Sequence, residues 1–233
     1  MVYNFHKIKS EVRIITLNPL FPKPPPSITR RHKVFVSYHH ALDQSFANFI
    51  RDFYSTDDTL IDRSLDDEIE SDDDDYILAR IRTEHLKEST VTIVLIGSKT
   101  WTRKWVDWEV YSSLRPYGNI RTINGLLGIT LPTVTFLPPR FADNYYQINT
   151  PYGIRQIGYA RLIDWNDIAT PSIPIRGLYE SDISFRRRVN SWRTEYYRRR
   201  YKLITMIDEA FKNRNKRILI NNTLPRFVID LPC

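Results

Sequence analysis

Apolar positions along this chain change period in a regular order. Lys33-Val-Phe-Val-Ser37-Tyr38 is a short, mostly apolar run of strand length. Asp43 to Tyr54 then places Phe46, Phe49, Ile50 and Phe53 at three- and four-residue spacing, the stripe of an amphipathic helix. The alternation repeats. Thr59-Leu-Ile-Asp62 reads as a short strand, Asp66 to Asp75 as an acidic loop, and Tyr76 to Lys87 as a helix with Ile77, Leu78 and Ile81 on its apolar side. Val91-Thr-Ile-Val-Leu-Ile96 is almost wholly apolar, so it needs cover on both faces, as central strands of parallel sheets do.

A further helix is expected over residues 105–115, ending near Pro116-Tyr-Gly118, and a strand over Ile123 to Leu131, loosened by Gly125 and Gly128. Residues 132–158 show no clean period and read as an irregular excursion before a last strand at Tyr159 to Asp164. Strands alternating with helices predict an α/β fold, a doubly wound parallel sheet of about five strands with helices on both faces. Two appendages flank it. Residues 1–30 contain Pro19, Pro22 and Pro24-Pro25-Pro26, which favour an extended strap. Residues 171–233 form a C-terminal helical extension, whose segment from Asp182 to about Arg214 carries Phe185, Val189, Trp192, Tyr196, Leu203, Ile207 and Phe211 at helical spacing. The main domain is then 31–170.

Composition narrows the class. With 233 residues, 42% apolar and 13% aromatic, the chain has material for a real core. No apolar run approaches the roughly 20 residues of a membrane helix, and the N-terminus lacks a signal-peptide core, so a soluble, cytoplasmic protein without a membrane partner is expected. The single cysteine, Cys233, allows no internal disulfide; the five histidines have no zinc-like spacing, so no metal is expected. The net charge of +7 resides in residues 176–217, which hold thirteen Lys or Arg against five Asp or Glu. Because the aromatics among those arginines keep a helical period, packing with a solvated basic face is favoured over nucleic-acid binding. The acidic run lacks the glycine and alternation of a calcium loop and reads as solvated.

Candidate chemistry centres on Thr100-Trp-Thr-Arg-Lys-Trp105-Val-Asp-Trp108-Glu109. In a helix from about residue 105, Trp105, Glu109 and Ser112 share one face, with Trp108 flanking the acid. Ligands of doubly wound sheets bind at the carboxyl ends of strands. Ser37, Tyr38, His39 and His40 follow the first strand, Asp62 and Arg63 the second, Gly97 and Ser98 the third.

Lys33-Val-Phe-Val-Ser-Tyr-His39 with Asp43, Asp62-Arg-Ser-Leu65, Thr92-Ile-Val-Leu-Ile-Gly97 and, above all, Thr100 to Glu109 resemble the TIR-like domains of the Thoeris anti-phage system and their archaeal relatives. The resemblance spans roughly residues 31–131. It implies a flavodoxin-like five-stranded fold and, in enzymatic members, a glutamate on the third helix required for cleaving NAD. Carried over by motif position, that glutamate is Glu109. The nucleotide-lining residues implied are Ser37, Tyr38, His39 and Ser98, with Asp62 at the rim and Trp105 or Trp108 stacking on a substrate ring. NAD is then substrate, with no separate cofactor. The product is an ADP-ribose-derived signal acting on a partner effector, and a homo-oligomer or a phage-derived trigger completes the implied partners. Two readings compete with this enzyme: a catalytically silent TIR assembly module, and a nucleic-acid binder driven by the arginine-rich tail.

Overall fold

A computed structural model describes residues 32–54, 60–62, 73–118 and 122–225, without the side chains of 52–54 and 60–62. The Pro-rich segment 1–30 and residues 66–72 of the acidic run lie outside the described residues. Among the described residues, two compact units are distinguished by their internal contacts: residues 32–169 with 199–225, and residues 170–198.

The first unit holds a five-stranded, all-parallel sheet. Its strands are β1 (His32–Ser37), β2 (Leu60–Asp62), β3 (Val91–Ile96), β4 (Gly125–Thr130) and β7 (Arg161–Asp164), in spatial order β2-β1-β3-β4-β7. The hairpin of β5 (Gln147–Thr150) and β6 (Gly153–Gln156) is a separate two-stranded antiparallel sheet. Every residue of β3 is buried and the strand sits at the centre, as its apolar sequence requires. The β2-β1-β3-β4-β7 order is that of a flavodoxin-like sheet.

Helices cover both faces. On one, α1 (His40–Tyr54) packs Ala47 and Ile50 against Val34, Val36, Val91, Ile93 and Leu95. On the other lie α2 (Asp74–Arg80), α3 (Lys104–Ser113) and the short α4 (Pro139–Ala142). Here Val106, Val110 and Leu114 of the α3 segment meet Val94, Ile96, Leu126 and Phe141.

The acidic run is not loop to its end. Asp73 caps α2, its carboxylate accepting from the backbone N–H of Asp75 (2.9 Å) and Tyr76 (3.2 Å), and Asp74 and Asp75 occupy the first turn, where negative charge suits the helix dipole. The helix then widens into a π-turn, Ile81–His85, closed by Leu86 N–H to Ile81 O at 3.0 Å. Residues 132–158, expected to be irregular, contain α4 and the β5–β6 hairpin.

The C-terminal helix α5 (Asp182–Asn213) runs unbroken for 32 residues. Its portion from Arg199 belongs with the sheet unit, where Leu203, Ile207 and Ala210 complete the α1 side of the core. In the other unit, Trp192 donates to Pro171 O (2.9 Å) and Arg188 pairs with Glu180.

Gly125 does not loosen β4; it admits α5. A Cβ there would lie 2.2 Å from Ala210 O and 2.4 Å from its carbonyl carbon, backbone atoms with no rotamer to yield. Gly125→Ala should therefore cost about 1–3 kcal/mol, seen as a lower urea midpoint with an unchanged m-value.

Candidate active site

The chain leaves β1 and β3 toward opposite sides at their carboxyl ends, opening the crevice where doubly wound sheets place ligands. Side chains alternate along β1. Phe35 and Ser37 face the α2–α3 side, whereas Val34, Val36 and Tyr38 face α1 and α5.

α3 begins after a 3-10 turn at Thr100–Thr102 and turns Glu109 toward Ser37. The Ser37 hydroxyl donates to Glu109 Oε2 at 2.6 Å, a length typical of a hydroxyl on a carboxylate. Glu109 is 8% exposed. Its other oxygen, Oε1, is faced by His85 Nδ1 at 3.7 Å, and that imidazole is itself buried. So Ser37 and Glu109 come together from β1 and α3, joined by His85 from the π-turn.

The other expected site residues are distributed. Tyr38 is 3% exposed in the core on the opposite face of the sheet, its hydroxyl donating to Gln44 Oε1 (2.9 Å) and its ring stacked on His40 at 4.4 Å. Half-buried His39 precedes α1, and its carbonyl accepts from Asp43 N–H. Asp62 ends β2 opposite Val34, and its side chain lies outside the described residues. Ser98, half-buried, uses its carbonyl to accept from Trp101 Nε1 (3.2 Å) and Thr135 Oγ1 (2.9 Å). Trp108 is buried against the Phe35 and Ile81 cluster with Lys104 Nζ 4.4 Å above its ring; Trp105, half-buried, meets it edge-on at 5.7 Å.

Two further polar groups shape the site. Asp43, buried in the first turn of α1, accepts from Thr100 Oγ1 (3.4 Å), which in turn accepts from Gly97 N–H (2.8 Å). A Cβ at Gly97 would lie 2.6 Å from Asp43 Oδ1, so glycine lets the β3–α3 loop close on the carboxylate. Arg140, 1% exposed, grips Asp107 with two bonds of 2.9 Å and donates to Leu224 O (3.3 Å) and Pro225 O (2.7 Å). That clamp fixes the first turn of α3, two residues before Glu109. A shallow cleft beside Trp101, Arg103, Asp107 and Pro138 adjoins the same turn, and Glu109 is not among its lining residues. Among the described residues, no group of three or more His, Cys, Asp or Glu is placed to hold a metal ion, and no helix is long and apolar enough to cross a membrane.

A parallel sheet of this order with helices on both faces is a flavodoxin-like α/β domain, consistent with the fold of TIR domains. Residues 35–135 match the family model described as Thoeris protein ThsB, TIR-like domain. Ser37, His85 and Glu109 all lie within the match. Among curated proteins, none matches the chain.

Burial raises the Asp43 pKa above its ordinary value, against the lowering effect of the Thr100 and His39 hydrogen bonds. A carboxyl whose folded pKa is raised binds more protons folded than unfolded, so its contribution to stability falls as pH rises from the unfolded pKa and levels off above the folded one. The stability of the wild type relative to Asp43→Asn should thus decline from about pH 4 upward in urea titrations at successive pH values. Asp107→Ala strands the buried Arg140 charge and should cost about 3 kcal/mol; adding Arg140→Met should recover part of that loss in the same assay.

Proposed function

We propose that this protein cleaves the bond between nicotinamide and ribose in NAD, with Glu109 as the catalytic residue, and releases an ADP-ribose-derived signal for a partner effector in anti-phage defence. The observation that carries the reading is the pairing of Glu109 with Ser37 at the carboxyl end of β1, within the stretch that matches the Thoeris family.

The chemistry asks little more of the protein than this. The C1′–N bond breaks with its electron pair leaving on nicotinamide, which departs neutral from a cationic precursor, so no general acid is needed, unlike the two-carboxylate glycosidases. Positive charge develops on the ribosyl ring, and a nearby carboxylate stabilises it while accepting from the ribose hydroxyls. Water adding at C1′ and losing a proton gives ADP-ribose; a hydroxyl or ring nitrogen of the same molecule gives a cyclic product instead. Half-buried Trp105 is the aromatic on the Glu109 face of α3 that remains for stacking on a ring.

One observation favours the silent assembly module as a second reading: Glu109 is largely covered and occupied by Ser37. On the enzymatic reading the same arrangement is a resting state that opens to substrate. The arginine-rich helix supports packing over nucleic-acid recognition, since Arg188 and Arg198 are paired with Glu180 and Glu195, and Arg199 donates to Asn166 O and Ala169 O.

Glu109→Gln keeps the shape of the side chain and removes its charge, so NAD consumption in cells challenged with phage should fall by about 100-fold or more with Tm unchanged. Wild-type rates in that variant would overturn the assignment. A wild type that never consumes NAD, with or without phage, would leave the silent module in its place.

A further inference from the structure

His85 is a buried imidazole to which the proposed chemistry assigns nothing. It ends the π-turn that follows α2, is 5% exposed, and lies with its ring 5.9 Å from that of Phe35. Its Nδ1 is buried without a hydrogen-bond partner, while Glu109 Oε1 stands 3.7 Å away, just beyond bonding range. A buried polar nitrogen left unsatisfied costs free energy, and that cost is recovered by a small approach of the two groups. Hydrogen bonds in catalytic sites are commonly long before substrate binds and tighten in the complex.

Resting on the NAD-cleaving reading above, we propose that His85 is a positioning residue for Glu109. Ser37 holds Oε2 from the strand side; His85 Nδ1–H closes on Oε1 from the helix side when substrate binds. With one oxygen tethered by each donor, the carboxylate plane is fixed. Each oxygen keeps a second lone pair for a ribose hydroxyl. The π-turn is the local feature that serves this arrangement, since its buried residues are Ile81 and His85, and of these two His85 is the one with polar side-chain atoms. Such turns occur often at functional sites.

The test exploits which nitrogen is involved. The amide of asparagine superimposes on the imidazole Nδ1, whereas the amide of glutamine superimposes on Nε2. Under conditions in which the wild type consumes NAD, His85→Leu and His85→Phe should lower kcat by about 10- to 100-fold while KM stays within about two-fold of wild type. His85→Asn should recover most of kcat, and His85→Gln should not. Thermal denaturation of each variant separates this from a structural role, in which the apolar variants would be the most stable and the most active. Wild-type kcat in both apolar variants, or an asparagine variant that folds yet is as slow as leucine, would overturn the inference. If Glu109→Gln is inactive while His85→Leu is not, only the role of His85 falls; if Glu109→Gln is active, the reading beneath it falls.

Discussion

Residues Val91 to Ile96 have no solvent face: neighbouring strands pair with both edges, and side chains pack on both sides. A strand so placed holds only if each flank is roofed by helices, and right-handed crossovers then leave few arrangements. The chain goes outward from β1 to β2, returns to β3, and continues outward again through β4 to β7. The chain departs from β1 and β3 in opposite directions, and Ser37 and Glu109 meet at the carboxyl end of β1. The site is in this sense a by-product of burying one strand.

Polar groups inside this frame are spent at its two ends. At the amino end of β3, Asn124 donates to Ser89 Oγ (2.7 Å) and Thr92 Oγ1 (3.1 Å), and Thr92 is bonded to Ser113 (2.7 Å). This network ties the loop before β4 to the last turn of α3. At the carboxyl end, Asp43 with Thr100, and Ser37 with Glu109, set the loop and helix that follow β3. Since α3 is held at both ends, with Arg140 clamping its first turn through Asp107, the carboxylate of Glu109 has a fixed origin.

Much of the fold was legible because burial leaves a mark on composition. The apolar β3, the stripe of α1 and the helical aromatics of α5 were each readable from spacing alone. The hairpin β5–β6 was not, since its strands are largely exposed and carry little beyond Ile148 and Ile154 to signal a period. The end of the acidic run was misread because charge density suggests loop, whereas Asp73 to Asp75 stand where a helix start favours acids. At the site, Ser37 and Glu109 were visible through motif and strand end. Tyr38 was grouped with them although strand alternation sends adjacent residues to opposite faces. His85 left no signal at all: its meeting with Glu109 is made by a π-turn and by packing between elements far apart in sequence.

The order in which the core is closed follows from α5. The face formed by β1, β3 and β4 is roofed partly by Leu203, Ile207 and Ala210, the last-made portion of that core. Strand β1 must also wait for β3, whose paired residues lie 57 positions later, because parallel neighbours cannot form as a local hairpin. During synthesis the strands of that face are therefore complete before the α5 part of their cover is made, although α1 precedes β3 and β4. Through that interval the nascent chain presents a sticky surface of the kind that chaperones shield.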